Sequence, residues 1–282
     1  MNIRTLLQPM LPIPTGLAPV LPTLPDVRVV LFDIYGTLLV SASGDIDAAQ
    51  QADPERAFRE AAAAAGLRPQ RGLGDALRRE IRRRHELARA AGVDAPEVDI
   101  REVWRALAGS LFKESPTDEA LADLALGYEC RVNPVWPMPG FPGVLDLLRP
   151  RFTLGVVSNA QFYTPLGLEA LAGRTLSELG MEESRCAWSY RERVAKPSPT
   201  LLGRLLARNR WEPATVLMVG NDLTKDVQPA RSLGCRTALF AGDRRSLRAD
   251  PAALHDPARR PDAILTHLDQ LSAVLSVNSE KI

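Results

Sequence analysis

Residues 27–40 read VRVVLFDIYGTLLV. The first six are β-branched, aliphatic or aromatic apart from one arginine, which is typical of a strand buried inside a sheet. Asp33 follows this run directly, and Gly36 and Thr37 then favour a turn. The stretch therefore predicts a buried strand that ends at a carboxylate.

From Pro134 onward, apolar runs alternate with helical patterns, which indicates βαβ units and a parallel sheet. Strands are predicted in the runs FTLGVVSN (152–159), CAWSY (186–190), TVLMVGND (215–222), RTALF (236–240) and DAILT (262–266). Helices are predicted between them. We therefore expect an α/β core with a Rossmann-like parallel sheet.

The segment between these two regions has a different pattern. Residues 41–133 carry four helical patterns and no strand pattern, so we expect an inserted all-helical unit. The predicted division is a proline-rich N-terminal arm at 1–26, an α/β core at 27–40 and 134–282, and the helical insert at 41–133.

Composition excludes several classes of function. The chain has 282 residues, and its formal net charge of +1 gives no overall field that would attract nucleic acid or an anionic membrane. Three scattered cysteines without a CxxC pair, and three histidines without ligand spacing, argue against a zinc site or a Ser-His-Asp enzyme. The apolar start is broken by prolines, so neither a signal peptide nor a membrane helix is expected. We expect a cytoplasmic monomer or homodimer that acts on a small molecule.

Carboxylates follow two of the predicted strands. Asp33 ends the first strand, and Asp222 ends the strand at 215–222, with Asp226 one turn further on. Because ligands of parallel sheets bind beyond the carboxyl ends of the strands, these groups should gather at one edge. Three unpaired carboxylates would repel each other, and a hard divalent cation would relieve that repulsion.

Other polar residues are expected at the same edge. Lys196 precedes a helix there, and Thr37 and Ser158 offer hydroxyl groups, so the three could hold an anion such as a phosphoryl group. Asp33 could then attack that group as a nucleophile and form an aspartyl-phosphate that water cleaves.

Four motifs occur in an order that resembles the haloacid-dehalogenase superfamily of hydrolases. They are FDIYGTLL (32–39), VVSNA (156–160), AKPSP (195–199) and VGNDLTKD (219–226). The helical insert after the first motif resembles that superfamily's helical cap, and the four motifs span most of the chain.

The resemblance implies a role for each matched residue. Asp33 would be the nucleophile, Lys196 would neutralise charge on nucleophile and substrate, and Thr37 and Ser158 would seat the transferred group. Asn159 would support its loop and contribute to substrate binding. A Mg²⁺ site would be formed by Asp33, the backbone carbonyl of Tyr35, Asn221, Asp222 and Asp226.

The first and the fourth motif indicate different reactions. Phosphatases of the superfamily usually carry an acidic residue where this chain has Tyr35, and a phenol with a pKa of about 10 is a poor replacement for it. The first motif instead resembles 2-haloacid dehalogenases, whose halide leaves without a proton, whereas the acidic fourth motif resembles Mg²⁺-dependent phosphatases. We expect Mg²⁺-dependent hydrolysis of a small phosphorylated metabolite, with two alternatives: a metal-independent dehalogenase-like hydrolase, and a catalytically weak member that binds a metabolite or partner.

Overall fold

A single parallel sheet forms the centre of the molecule. The computed structural model describes residues 9–42 and 53–277. The central sheet has six strands in the order β5-β4-β1-β6-β7-β8, and β2 and β3 form a separate two-stranded antiparallel ribbon. The strands are β1 (Val29–Phe32), β2 (Leu39–Ser41), β3 (Val135–Pro137), β4 (Thr153–Ser158), β5 (Cys186–Trp188), β6 (Val216–Gly220), β7 (Arg236–Phe240) and β8 (Ala263–Leu265).

The central strand β1 is covered on both faces. It pairs in parallel with β4 and with β6, so that Val29 lies opposite Thr153 on one side and Val216 on the other. Val30 and Phe32 pack into the hydrophobic cluster on one face, whereas Val29 and Leu31 pack into the cluster on the other. Burial on both faces explains the unbroken apolar run, and the predicted α/β class is confirmed.

Helices flank the sheet and form the insert. Those between residues 53 and 133 are α1 (Pro54–Ala64), α2 (Ala76–Ala90), α3 (Ile100–Leu111) and α4 (Asp118–Val132). Those of the α/β part are α5 (Gly143–Leu148), α6 (Tyr163–Ala172), α7 (Ser189–Glu192), α8 (Pro199–Asn209), α9 (Gln228–Ser232), α10 (Pro251–His255) and α11 (Leu271–Val274). The start of α1 follows its sequence signal, because Asp53 accepts the backbone N–H groups of Glu55 and Arg56 ahead of a proline at the first helical position.

The four helices α1–α4 share a hydrophobic cluster, which Tyr163 of α6 also joins. Trp104 lies at its centre, with its ring stacked on Phe58 at 6.0 Å and edge-on to Tyr128 at 5.5 Å. This cluster contains no strand residue. The helical content agrees with the expected cap, and the stretch 43–52 at its beginning lies outside the described residues.

The structure adds elements that the sequence pattern did not predict. The β2–β3 ribbon pairs Leu39 with Pro137 and Ser41 with Val135, at the two ends of the helical insert. Strands of three residues are too short to show an alternating pattern, which is why the ribbon was missed. In addition, the predicted strand at 186–190 ends at Trp188, after which α7 begins.

Residues 9–26 of the proline-rich arm run over the body of the protein. Val20 forms an antiparallel bridge with Ile264, and Leu24 donates its N–H to the carbonyl of Val274 at 2.8 Å. Residues 1–8 of the arm, like 278–282 at the other end, lie outside the described part. None of the helices within the described ranges is long and apolar enough to cross a membrane.

Candidate active site

Asp33 lies at the carboxyl end of β1 and is almost fully buried. Its backbone N–H continues the sheet by donating to the carbonyl of Val219 at 2.9 Å. Its Oδ1 atom accepts the hydroxyl of Ser158 at 3.0 Å and the ammonium of Lys196 at 2.7 Å. The carboxylate is thus held in one orientation by partners from two other segments of the chain.

Lys196 bridges two carboxylates. Its Nζ atom also donates to Asp226 Oδ1 at 2.5 Å and to the carbonyl of Val157 at 3.0 Å. All three charged side chains are at most 9% exposed. One ammonium therefore neutralises part of the charge of two buried carboxylates.

The pKa values follow from this sharing. Burial by itself would lower the pKa of Lys196, but the charges of Asp226 and Asp33 outweigh it and raise that pKa, so the lysine stays protonated. Burial raises the pKa of Asp226, which Lys196 opposes and the charge of Asp33 reinforces. The expectation of three mutually repelling carboxylates was therefore incomplete, because a lysine lies between two of them.

Asn159 fixes the segment that carries Lys196. Its Oδ1 accepts the backbone N–H of Lys196 at 2.8 Å, and its Nδ2 donates to the carbonyl of the same residue at 2.9 Å. The contact joins the second motif to the third, whereas support of its own loop stays a prediction. Asn159 also lines the pocket described below.

Thr37 and Asn221 contact each other behind the pocket. The fully buried hydroxyl of Thr37 donates to Asn221 Oδ1 at 3.2 Å, and Asn221 Nδ2 donates to the carbonyl of Ser246 at 2.6 Å. Neither Thr37 nor Ser158 belongs to the pocket wall. Both were predicted to bind the substrate, and in this structure their hydroxyls bond to protein groups.

Gly36 permits this close packing. Its φ angle of +85° lies in the left-handed region, and a Cβ atom there would lie 2.6 Å from both Asn221 Nδ2 and Ser246 Cβ. Only glycine fits such a position. Close contact with Asn221 and Ser246 therefore explains why the first motif has glycine at position 36.

Asp222 lies at the rim of the site. Its Oδ1 accepts the N–H groups of Thr224 at 2.8 Å and Lys225 at 2.9 Å, capping the π-helical turn Leu223–Val227. A pocket of about 210 Å³ opens between this rim and Asp33. Its walls are formed by Asp33, Tyr35, Ser41, Asn159, Lys196, Asn221, Asp222, Lys225, Asp226, Ser246 and Arg248.

Tyr35 stands on the side of the pocket nearest the helical insert. Its hydroxyl lies 2.9 Å from Thr164 Oγ1. Burial, reinforced by the charge of Glu129, raises the pKa of Tyr35 far above its usual range. The phenol therefore stays protonated and is a weaker proton donor than an ordinary tyrosine.

The carboxylate oxygens that line the pocket could bind a cation that needs few ligands from the protein. No group of three or more acidic, histidine or cysteine side chains is placed to hold a metal within residues 9–42 and 53–277. Both carboxylate oxygens of Asp226 and the amide oxygen of Asn221 accept bonds from protein groups. Among the described residues, Asp33 and Asp222 accept such bonds through Oδ1, so their Oδ2 atoms are the carboxylate oxygens open to a cation. Mg²⁺ is often held by only one or two carboxylates together with water and phosphate oxygens, so this smaller set fits it.

Sequence motifs did not identify part of the pocket wall. Ser41, Lys225, Ser246 and Arg248 line it without having been predicted. Ser246 and Arg248 come from the loop after β7, which carries no motif that could have signalled a role. Lys225 lies within the fourth motif but between its acidic residues.

Comparison with known proteins identifies the family. A profile described as haloacid dehalogenase-like hydrolase matches residues 27–254. The chain belongs to the haloacid dehalogenase-like hydrolases. A search of curated proteins found no significant match.

Solved structures of this hydrolase family share the fold. A 2-haloacid dehalogenase from Pseudomonas syringae pv. Tomato DC3000 has 21% identity and a TM-score of 0.58, covering 89% of this chain and 98% of its own. A HAD phosphatase from Thermococcus onnurineus has 20% identity and a TM-score of 0.52, with 89% and 99% covered. The HAD-hydrolase YfnB from Bacillus subtilis, bound to magnesium, has 18% identity and a TM-score of 0.51, also with 89% and 99% covered. At these identities the similarity establishes the fold and leaves the substrate open.

Proposed function

We propose that this HAD-like hydrolase is a Mg²⁺-dependent phosphoryl hydrolase whose substrate has a leaving group that departs without a proton, such as an acyl phosphate. One observation carries the proposal: the oriented carboxylate of Asp33 and the carboxylate of Asp222 line the same small pocket. Two carboxylates on one wall suit a divalent cation, and a cation suits a phosphoryl group.

The residues of this chain support the following steps. Ser158 and Lys196 orient the carboxylate of Asp33 by binding Oδ1, and Asp33 attacks phosphorus. The bond from phosphorus to the leaving oxygen breaks, and the leaving group departs as an anion. Water then attacks the phosphorus of the aspartyl-phosphate, which releases orthophosphate and restores Asp33. A Mg²⁺ ion held by Asp33 and Asp222, with the Tyr35 carbonyl, would stabilise charge on the phosphoryl oxygens.

Tyr35 explains the choice of leaving group. A general acid usually contributes about 10²–10⁴-fold to a rate, and a phenol with a raised pKa is a poor proton donor near neutral pH. Esters of ordinary alcohols should therefore be poor substrates.

A substrate panel tests the proposal. Acetyl phosphate, alkyl phosphates and 2-chloropropionate would each be incubated with Mg²⁺ and with a chelator. We expect turnover of acetyl phosphate that the chelator removes, and a loss on the order of 10⁴-fold or more in Asp33→Asn, since the nucleophile is gone. Full activity of Asp33→Asn would exclude Asp33 as the nucleophile.

A dehalogenase-like reaction is the second candidate, and Tyr35 favours it because a halide needs no proton. Asp33 would attack the carbon that bears the halogen, halide would leave, and water would cleave the resulting ester. Lys196 already neutralises part of the charge beside Asp33, so this reaction needs no metal. Halide release that survives the chelator would favour it. No turnover in either series, with binding retained, would favour a catalytically weak member.

We further propose that residues 41–133 act as a cap on the core formed by 27–40 and 134–282. The cluster around Trp104 supports this division, because its buried members apart from Tyr163 all lie within residues 58–126. The insert also contacts the segment before Lys196, where Ala195 donates its N–H to the carbonyl of Ala95 at 2.7 Å. Cap and lysine segment therefore touch, and closing of the cap would exclude water from the site.

A further inference from the structure

One wall of the pocket combines two basic residues and one buried hydroxyl. Lys225, Ser246 and Arg248 line the pocket together with Asp33. The loop with Ser246 and Arg248 is joined to the Asp222 segment by backbone bonds: Arg248 donates to the carbonyl of Asn221 at 3.0 Å, and Leu223 donates to that of Arg248 at 2.8 Å. The loop after β7 and the fourth motif thus form one continuous wall.

Lys225 and Lys196 differ in whether a carboxylate is paired with them. Lys196 is bound by two carboxylates, whereas Lys225 is an exposed residue that forms no ion pair with any residue in the described ranges. Arg248 is oriented by the carbonyls of Arg245 and Leu247, at 2.8 and 3.0 Å from its Nη1. Lys225 therefore adds a positive charge to this side of the pocket, beside the oriented guanidinium of Arg248.

Ser246 supplies an independent observation. It is 5% exposed, and its Oγ has no hydrogen-bond partner among the described residues. Buried hydroxyls are nearly always bonded, so one without a partner on a pocket wall requires an explanation. An anion in the pocket that Ser246 lines would give this hydroxyl an acceptor.

The loop that carries Ser246 is held rigidly. The buried carboxylate of Asp243 binds the guanidinium of Arg245 at 3.0 Å and accepts the N–H of Ile13 from the N-terminal arm at 3.1 Å. Arg244 returns a bond to the carbonyl of Ile13 at 2.7 Å. A wall fixed in this way loses little freedom when a ligand binds.

We propose that Lys225, Arg248 and the hydroxyl of Ser246 bind a second anionic group of the substrate, apart from the group that Asp33 attacks. The substrate would then be a small phosphorylated compound that also carries a carboxylate or a second phosphate. This inference rests on the proposed phosphoryl hydrolysis, and the pocket of about 210 Å³ limits the substrate to a small molecule.

Binding of two inert analogues tests the subsite without turnover. Phosphonoacetate carries a carboxylate beside its phosphonate, and methylphosphonate lacks it. Titration calorimetry of the full chain at saturating Mg²⁺ should give roughly tenfold tighter binding of phosphonoacetate, since charge-assisted hydrogen bonds are the strong ones. Lys225→Ala should remove most of that preference and Ser246→Ala part of it, whereas Lys113→Ala, an exposed lysine outside this pocket, should keep it.

The outcomes separate the two proposals. Equal affinity for both analogues, binding of neither, or an unchanged preference in Lys225→Ala would overturn the second-anion subsite. A preference that depends on Lys225 in a protein that hydrolyses no acyl phosphate would support the subsite and contradict only the proposed reaction.

Discussion

Two pairs of carboxylates in this molecule, Asp33 with Asp226 and Glu97 with Glu129, have different kinds of partner. In the core, Asp33 and Asp226 share the ammonium of Lys196. On α4, Glu129 accepts bonds from Asn133 and Tyr163, and no basic side chain of the described residues bonds to it.

Glu97 resembles Glu129, since it accepts the N–H of Val98 and the hydroxyl of Ser189. Burial raises the pKa of both glutamates. Burial raises the pKa of Asp226 as well, but there the ammonium of Lys196 opposes the rise, whereas only neutral donors bond to the two glutamates.

The largest expected effect comes from removing the cation of the core pair. Lys196→Met leaves Asp33 and Asp226 without a positive partner, and breaking a buried pair in this way costs about 3–5 kcal/mol. We expect a loss of that size in the free energy of unfolding, measured with urea, together with loss of turnover.

Lys225→Met is the matched control for the change in stability. Lys225 lies on the same pocket wall but is exposed and outside any ion pair of the described chain, so the change in stability should stay within about 0.5 kcal/mol. A Lys196→Met protein as stable as wild type would show that the core pair does not need its cation.

Replacing Tyr35 by an acidic residue is expected to change which phosphate esters the protein hydrolyses. Tyr35→Asp would place a titratable acid where the phenol now stays protonated. On the proposed function, kcat/KM for alkyl phosphates should rise relative to acetyl phosphate by about 10²-fold or more, because a general acid then protonates the leaving oxygen.

Tyr35→Phe controls for packing and for the bond to Thr164. It should leave the ratio of alkyl to acyl phosphate hydrolysis near its wild-type value. If Tyr35→Phe lowered that ratio sharply, the phenol would be acting as the proton donor after all.

A smaller effect should appear in the pH dependence of stability. Because the folded-state pKa of Glu129 is raised, its contribution to stability is fully present below its ordinary pKa of about 4.5 and is lost as pH rises through the folded value. Glu129→Gln removes this loss, so its free energy of unfolding should increase relative to wild type between pH 5 and pH 8. Equal pH dependence of the two proteins would mean that Glu129 is ionised at no cost.

Much of the site could be predicted from the sequence because strand ends converge in a parallel sheet. The apolar run before Asp33 and the four ordered motifs were enough to place Asp33, Asn159, Lys196 and Asp222 around one pocket. The same reasoning did not find the β2–β3 ribbon, whose strands are too short to show a pattern.

Only the tertiary structure decided how the charges pair and which loop completes the wall. Sequence order cannot tell whether Lys196 lies beside Asp222 or Asp226, because that depends on side-chain reach across the sheet. Arg248 is placed at the pocket by backbone hydrogen bonds with Asn221 and Leu223, and such bonds leave no trace in side-chain identity. Ser246 is held there through its carbonyl, which accepts the side-chain amide of Asn221. Hydrophobic patterning and strand topology thus determined where the site lies, whereas packing of loops distant in sequence decided which groups face a ligand.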